Sequence, residues 1–485
     1  MAKGAARIEH FVVLMLENRS FDNLLGYYAK KTGLDVLTGA ETNPVDPNPG
    51  PGDPPRPAVP VSPTATDATL ATKPAVTLEG TNVQMYGRWQ PTFPNGGLNN
   101  GFVYDYAKHG PGDAGDIMRC FPNDARETRN LRSLVDNYCV CDKWFASAPA
   151  PTWPNRLFVH AATSGGHVAN DVMLYRLPSI YDRLDARFGK ADDAWAIYYH
   201  DIPQSIVIWA LLLDYLLPIF HKRFRAIDRF RSDVANGRLA RYTFIEPQYF
   251  DWAVSQTEVS EANSQHPSKK VSLGDRLIGD VYESLSGSRY WDTTMLIVTW
   301  DEHGGTYDHR FPEEPTVSPD DKTSQPDHFA FTRLGLRVPA VIVSPWVTQP
   351  IDSRLHDHTA ILAAVEKRFD LEPLTARDAW AAGHDLLTLV GNKKVAPLPA
   401  FSRAPAPPRR PDRDAVARVR ASAMSDFQES LVELARHLDI PGETLAARGR
   451  RRTRGIRTEH EGAQFVRETM GKISEAAKGS RRPRQ

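Results

Sequence analysis

Two runs of consecutive apolar residues, 12–16 and 295–299, have the pattern of strands that are buried on both faces of a sheet. Each run leads into polar side chains that carry oxygen, namely Glu17 and Asn18 after the first run and Asp301 and Glu302 after the second. Because ligands bind beyond the carboxyl ends of strands in open α/β sheets, we expect these residues to meet at one edge of a sheet. A set of oxygen ligands of this kind predicts a bound cation.

Further apolar runs at 194–199, 242–245 and 340–343 predict three more strands, and helical spacing at 272–286 and 359–369 predicts helices between them. This alternation is typical of a doubly wound α/β fold. We therefore expect a mainly parallel central sheet sandwiched between layers of helices.

Composition divides the chain into three parts: a large main domain at residues 1–395, a Pro-rich linker at 396–411, and a helical, basic extension at 412–485. Residues 412–438 have the apolar spacing of a helix, which we expect to dock on the main domain. Basic runs at 448–457 and 481–484 favour a solvated arm over a contact with nucleic acid or anionic lipid.

Overall charge and composition narrow the class of protein. The chain has 485 residues and a formal net charge of zero, which gives no general electrostatic reason to expect a nucleic-acid partner. Its three cysteines, Cys120, Cys139 and Cys141, are expected to be reduced thiols in the core. The first nine residues lack the apolar stretch of a signal peptide, so the default expectation is a cytoplasmic protein, although export stays open.

Thr152 is a candidate nucleophile because Pro151 and Pro154 restrict the backbone around it. A hydroxyl held in this way can attack a substrate, but it can equally satisfy backbone groups in a turn. Taken alone, this motif favours the turn.

Together these segments resemble a phosphoesterase family that includes bacterial phospholipases C, plant non-specific phospholipases C and an acid phosphatase. That family is a branch of the alkaline-phosphatase superfamily. The resemblance covers residues 8 to about 378 and rests on blocks that occur in the family's order. The blocks are 17–22 (ENRSFD), 152–156 (TWPNR), 263–267 (NSQHP), 300–305 (WDEHGG) with Asp308 and His309, 337–345 (RVPAVIVSP) and 357–359 (DHT).

The resemblance implies a phosphoric-ester hydrolase in which Thr152 attacks phosphorus and forms a phosphothreonine. It implies further that Glu17, Asn18, Asp301 and Glu302 hold one divalent cation, with Ca²⁺, Mg²⁺, Mn²⁺ and Zn²⁺ all compatible. By the same resemblance, Asn155 and Arg156 are expected to bind the substrate phosphate, and His266 and His200 to act as acids or as donors to phosphoryl oxygen. The expected substrate is a phospholipid cleaved as by a phospholipase C, with a possible peripheral membrane contact.

One departure from the family concerns a histidine. Many relatives carry a further histidine before a Gly-Phe segment, whereas residues 78–84, ahead of Gly101 and Phe102, contain none. His109 could replace it only if its loop folds back. A broad-specificity acid phosphatase therefore remains an alternative, and so does a non-catalytic protein that binds lipid or another partner on the same fold.

Overall fold

The computed structural model describes most of the chain, with gaps. The described residues are 5–48, 57–67, 70, 73–88, 98–110, 112–171, 175–190, 193–208, 211, 223–312, 316–396, 398, 412–440 and 442–479. Most of the expected linker and the basic run at 481–484 lie outside them. The division into three parts therefore stays a prediction.

Twelve strands are present in the described residues. They are β1 (His10–Leu16), β2 (Thr42–Pro44), β3 (Ala58–Pro60), β4 (Cys139–Cys141), β5 (Trp195–Tyr199), β6 (Phe224–Ala226), β7 (Tyr242–Ile245), β8 (Trp252–Ala253), β9 (Val259–Ser260), β10 (Thr294–Trp300), β11 (Ala340–Val343) and β12 (Ile351–Asp352). Eight of them form the central sheet, in the order β12-β4-β11-β10-β1-β7-β5-β6. Strand β11 runs antiparallel to both of its neighbours, and every other pairing in this sheet is parallel.

The helices bury the sheet on both faces. In the described part of the chain they are α1 (Phe21–Leu25), α2 (Leu78–Tyr86), α3 (Phe102–Tyr106), α4 (Arg129–Asn137), α5 (Thr152–Ala161), α6 (Ile180–Phe188), α7 (Phe230–Ala235), α8 (Val271–Ser286), α9 (Thr359–Phe369), α10 (Ala376–Ala381), α11 (Arg413–Ala421), α12 (Asp426–His437), α13 (Leu445–Thr453) and α14 (Glu459–Gly479). All residues of β10 and all but the first of β1 are buried, as expected of strands covered on two sides. The predicted mainly parallel α/β fold is confirmed. None of these helices combines the length and the apolar character that crossing a bilayer requires.

The region 412–438 forms two helices, so the prediction of a single helix there is wrong. Helix α11 ends at Ala421, and Ser425 begins α12 with a capping box in which its hydroxyl accepts from the Gln428 amide and its own amide donates to the Gln428 side chain. The apolar spacing continues across Ser425, so it did not indicate that a new helix begins there. Phe427, Leu431 and Leu434 of α12 belong to the same apolar core as the central sheet.

Candidate active site

The ends of β1 and β10 bring two of the polar clusters together. These strands are adjacent and parallel, with Leu16 opposite Trp300, so Glu17 and Asp301 leave the sheet side by side. The backbone amide of Asn18 donates to Asp301 Oδ1 at 2.9 Å. Residues far apart in the sequence thus share one edge of the sheet.

Asn18 has a backbone conformation that few residues other than glycine adopt, with φ at +58°. Gly304 packs against it, and a Cβ on Gly304 would lie 2.0 Å from the Asn18 carbonyl oxygen. Gly304 itself has φ at +66°. Only glycine fits there, which explains why a Gly-Gly pair follows the second acidic cluster.

The carboxylate of Asp301 is held by protein donors on both oxygens. Its Oδ1 also accepts from the Glu302 amide at 2.8 Å, and its Oδ2 accepts from Arg156 Nε at 3.0 Å. Its backbone carbonyl accepts from His358 Nε2 at 2.6 Å. Arg156 and Asp301 form a fully buried ion pair. This network fixes the position of Asp301 before any ligand binds.

Three oxygens of the same cluster have no partner. Glu17 Oε1, Asn18 Oδ1 and Glu302 Oε1 are buried and make no hydrogen bond within the described structure. A buried oxygen without a partner loses its hydration without compensation, and an ion is one recognised cause; the described residues include other such oxygens, but Glu17, Asn18 and Glu302 are close in the sheet topology. These three oxygens belong to residues that follow the ends of adjacent strands, and oxygen atoms of this kind are the ligands that a divalent cation prefers.

The electrostatics of the two glutamates agree with this reading. Burial raises the pKa of the Glu17 carboxyl to about 8, against the lowering effect of Arg156. Burial and then the charge of Asp301 raise the pKa of Glu302 well above its ordinary value. A cation between these groups would stabilise their charged forms.

Two groups of His, Cys, Asp or Glu in the described residues have metal-ligand atoms that all lie within 4.8 Å of one another, and Glu17, Asp301 and Glu302 do not form such a group. The two groups are Cys141, Asp352 and His356, and Asp22, Asp308 and His309. An arginine already neutralises each of them: Arg354 Nη2 lies 2.5 Å from Asp352 Oδ2, and Arg337 pairs with both Asp22 and Asp308. Both are therefore explained as ion-paired structural networks.

Thr152 lies at the first position of α5, next to this cluster. It lines a cavity of about 30 Å³ together with Asn18, His266 and Gly304. Its hydroxyl makes no hydrogen bond to any described residue, although the residue is only 1% exposed. A cavity of this size holds about one water molecule. The Thr152 hydroxyl is thus available to a small molecule in this cavity, and its role as nucleophile stays a prediction.

Asn155 and Arg156 make contacts with the protein. Asn155 Oδ1 accepts from the Ala148 amide at 3.0 Å, and its Nδ2 lies within 3.3 Å of the carbonyl oxygens of Ala148, Ala150 and Pro151. It therefore ties down the loop that leads into Thr152. Besides Asp301, Arg156 reaches the Tyr249 hydroxyl at 3.1 Å and the Leu16 carbonyl at 3.3 Å.

His266 lines the cavity with a defined orientation. Its Nδ1 accepts from the Ser268 amide at 3.2 Å, so in the neutral ring the proton is on Nε2. Burial, followed by the charges of Lys269 and Arg19, lowers the pKa of His266 to about 3. In the metal-free state His266 is thus a neutral hydrogen-bond donor.

His200 lies outside the Thr152 cavity. It lines a separate groove of about 740 Å³ with Phe230, Gln248 and Leu277, among others, and its Nε2 lies 3.4 Å from Asn263 Nδ2. Burial lowers the pKa of His200 to about 4. No described contact joins it to Thr152.

The start of α12 closes the cavity from the C-terminal side. Ser425, Asp426 and Phe427 line the cavity opposite Thr152. Phe427 packs edge-on against Trp153, the neighbour of Thr152, with ring centroids 5.0 Å apart. Trp153 Nε1 also donates to Ser430 Oγ at 2.6 Å.

Several residues of the site carry no signal in the sequence pattern. Lys73 lines the cavity and donates to the Met424 carbonyl of the extension. Gln84 lies in the stretch that lacks the expected histidine, and its Oε1 is 2.6 Å from His303 Nε2. Among the described residues, the His109 side chain reaches Asp105 at 3.4 Å, and His109 is not among the residues that line the cavity. The positions of Lys73 and Gln84 follow from loop paths that periodicity does not encode.

His309 stabilises the adjacent Arg337 network through its charge. Its two nitrogens lie 2.7 Å from Asp22 Oδ2 and 3.1 Å from Asp35 Oδ1. Burial opposes protonation, but the hydrogen bonds with Asp22 and Asp35 outweigh it and raise the pKa of His309 to about 10.

We expect His309→Gln to lower the free energy of unfolding most at pH 6 and progressively less towards pH 10. The folded pKa lies above the unfolded value of about 6.5, so the stabilisation is complete below that pH and is lost as the pH rises through the folded pKa. Denaturant unfolding of both proteins across this range measures the difference. A difference that does not change with pH would contradict the assignment.

Comparison with known proteins gives a family match. Residues 8–372 match the model described as "Phosphoesterase family". The chain is 34% identical to non-specific phospholipase C6 of Arabidopsis thaliana over 451 residues, covering 88% of this chain and 80% of that protein. It is 27% identical to phospholipase C B of Mycobacterium tuberculosis over 425 residues, covering 77% of this chain and 75% of that protein.

Solved structures give weaker matches. The lipoteichoic acid synthase LtaP of Listeria monocytogenes is 14% identical with a TM-score of 0.32, covering 52% of this chain and 67% of that one. A protein in the alkaline phosphatase superfamily from Vibrio parahaemolyticus is 14% identical with a TM-score of 0.29, covering 55% of this chain and 65% of that one. Similarity at this level carries no conclusion about activity.

Proposed function

We propose that the chain, which belongs to the phosphoesterase family and hydrolyses phosphoric ester bonds, takes phospholipids as substrates in the manner of a phospholipase C. The proposed mechanism rests on three buried oxygens without a partner, one each on Glu17, Asn18 and Glu302. Asn18 also lines the same cavity as Thr152. A hydrolase needs a nucleophile and a means of neutralising phosphoryl charge, and this cluster can provide both.

The residues proposed to hold one divalent cation are Glu17, Asn18, Asp301 and Glu302. A bound cation would lower the pKa of a coordinated hydroxyl and neutralise charge on phosphoryl oxygen. Asp301 differs from the other three because protein donors engage both of its oxygens. Its free lone pairs still allow it to coordinate, and its ion pair with Arg156 keeps it in place.

Thr152 is the proposed nucleophile. Its Oγ1 loses a proton and forms a bond to phosphorus, while the bond from phosphorus to the diacylglycerol oxygen breaks and that oxygen takes up a proton. The product on the enzyme is a phosphothreonine that carries the head group. Water then loses a proton as it attacks phosphorus, the bond to Oγ1 breaks and Oγ1 takes up a proton, and the phosphorylated head group leaves.

His266 is the proposed donor at the reacting phosphate. Because Ser268 holds Nδ1 as an acceptor, Nε2–H can donate to a phosphoryl oxygen without a change in protonation. The negative charge of the diester phosphate, which increases as Thr152 attacks, would raise the lowered pKa of His266 and so favour proton donation to the leaving oxygen.

For Asn155 and Arg156 we propose positioning roles in place of the expected phosphate contact. The Asn155 amide holds the loop in front of Thr152, and the Arg156 guanidinium orients Asp301. His200 keeps its catalytic assignment only as a prediction, because no described residue links its groove to Thr152.

A broad-specificity phosphomonoesterase is the second candidate, since the same groups serve monoesters. We expect the purified protein, supplied with divalent metal, to release p-nitrophenol faster from p-nitrophenylphosphorylcholine than from p-nitrophenyl phosphate. The phospholipase assignment predicts this order because diester cleavage is its reaction. Faster release from the monoester would favour the phosphatase instead.

A non-catalytic binding protein is the third reading. It provides no reason for Thr152 to keep a free hydroxyl beside three unpartnered buried oxygens, each of which costs stability. Absence of turnover with every divalent metal on both chromogenic esters would restore this reading.

A further inference from the structure

Lys73 is the one lysine or arginine among the described residues that line the Thr152 cavity. The residue is exposed, and it forms no ion pair with any residue that the structure describes. Asp426 lines the same cavity, is also exposed, and does not pair with it. A cation without a counter-charge therefore lies at the cavity that holds the candidate nucleophile.

The chain around Lys73 is held from two sides. On one side, the Leu70 amide donates to the carbonyl oxygen of Pro267 at 3.1 Å, directly after the proposed histidine donor. On the other side, a Cβ on Gly305 would lie 2.3 Å from Pro74 Cβ, so the glycine pair after the second acidic cluster packs against this chain. Lys73 thus lies between the segment of the proposed donor and the loop that follows two of the proposed metal ligands.

One of the Lys73 hydrogens is used by the C-terminal extension. The Lys73 Nζ donates to the carbonyl oxygen of Met424, in the stretch that joins α11 to α12. An ammonium group has three hydrogens, so two stay available to a ligand in the cavity. A neutral donor could make the same contact with an uncharged carbonyl. The contact with the extension therefore does not account for the positive charge at this position.

The charge of Lys73 acts on the cavity. After burial and the larger effects of two other cations, the charge of Lys73 also lowers the pKa of His266. As Thr152 attacks, negative charge grows on the phosphoryl oxygens, and fixed cations beside these oxygens stabilise the transition state. A lysine ammonium is a compact point charge that binds phosphate oxygen well.

We propose that Lys73 binds a phosphoryl oxygen of the substrate and stabilises the charge that develops there as Thr152 attacks. The two free hydrogens of the ammonium group serve as donors, while the Met424 carbonyl keeps the third. This role rests on the proposed function, because it needs a phosphate ester beside Thr152. The contrasting role is that of a tether that only joins the extension to the main domain.

The experiment measures phosphate binding and turnover in the full chain supplied with divalent metal. Lys73→Met removes the charge and keeps a long side chain, and we expect it to bind inorganic phosphate about ten-fold more weakly in calorimetry. Its kcat/KM for p-nitrophenylphosphorylcholine should fall roughly 10²-fold. Lys73→Arg keeps a cation, so it should lose clearly less in both measurements. The metal content and the melting temperature of both variants should match those of the unmodified chain.

The matched control is Lys270→Met. Lys270 is also exposed, but it pairs with Glu261 at 2.6 Å and does not line the Thr152 cavity. We expect this control to bind phosphate and to turn over like the unmodified chain. Equal losses in Lys73→Met and Lys270→Met would overturn the proposal, because they would show a general effect of charge.

Two further results would also overturn it. One is a Lys73→Met variant that binds phosphate as tightly as the unmodified chain. The other is an equal loss in Lys73→Met and Lys73→Arg together with a lower melting temperature, which would assign Lys73 to the tether.

The two measurements separate this role from the proposed function. Phosphate binding does not require turnover, so Lys73 can be tested even in a chain that hydrolyses neither chromogenic ester. Phosphate binding that depends on Lys73, without any hydrolysis by the unmodified chain, would count against the proposed function alone. Hydrolysis by the unmodified chain, with phosphate binding that is indifferent to Lys73→Met, would count against the role of Lys73 alone.

Discussion

Thr152→Ala should reduce ester hydrolysis by roughly 10³-fold or more while leaving the bound metal in place. The substitution removes the attacking oxygen, so only stabilisation by the surrounding groups remains. It leaves Glu17, Asn18 and Glu302 intact, and these carry the unpartnered oxygens. Turnover of a chromogenic diester and the metal content of the purified variant provide the two measurements.

The control for this prediction is Thr152→Ser, which keeps a hydroxyl at the same position. We expect it to retain substantial turnover, whereas a purely structural role of Thr152 would make both variants similar. Turnover of the alanine variant close to that of the unmodified chain would exclude Thr152 as the nucleophile.

Glu17→Gln should abolish metal binding and reduce turnover roughly 10³-fold. This factor corresponds to the loss of several kcal/mol of transition-state stabilisation. The same substitution should stabilise the metal-free protein. The folded pKa of Glu17 is raised to about 8 from an ordinary value of 4.5, so the folded state binds a proton that the unfolded state has lost. Stability due to this group therefore falls as the pH rises from about 4.5 to 8.

In the presence of a chelator, the free energy of unfolding of Glu17→Gln should increase relative to that of the unmodified chain as the pH rises from 6 to 8. Denaturant unfolding measures this difference. Adding divalent metal should reverse the order, because only the unmodified chain is stabilised by binding. Glu261→Gln, at an exposed position outside the Thr152 cavity, serves as the control. A variant that binds metal as tightly as the unmodified chain would remove Glu17 from the ligand set.

The sequence predicted the sheet because runs of apolar residues mark buried strands. It predicted that the polar residues after these strands lie together because parallel strands end at the same edge of a sheet. Glu17 and Asp301 follow two buried runs, and adjacent parallel strands place both at one edge. The short strands β4, β6 and β12 were missed because two or three residues show no periodicity. The break between α11 and α12 was missed because one apolar pattern continues across both helices.

Individual side-chain partners could not be predicted in the same way. Arg156 follows the candidate nucleophile closely, which suggested a phosphate contact, but its partners Asp301 and Tyr249 are distant in sequence. His200 lines a groove that is separate from the Thr152 cavity. No sequence motif specifies how far this groove lies from α5. Phe427 meets Trp153 only because the extension folds back over the sheet edge.

The central claim is that Glu17, Asn18, Asp301 and Glu302 hold one divalent cation beside the hydroxyl of Thr152. Anomalous diffraction from crystals soaked in Mn²⁺ tests it most directly. The account predicts one anomalous peak bounded by Glu17 Oε1, Asn18 Oδ1, Glu302 Oε1 and the Thr152 hydroxyl. A peak at Asp22, Asp308 and His309, or at Cys141, Asp352 and His356, with none beside Thr152, would contradict it.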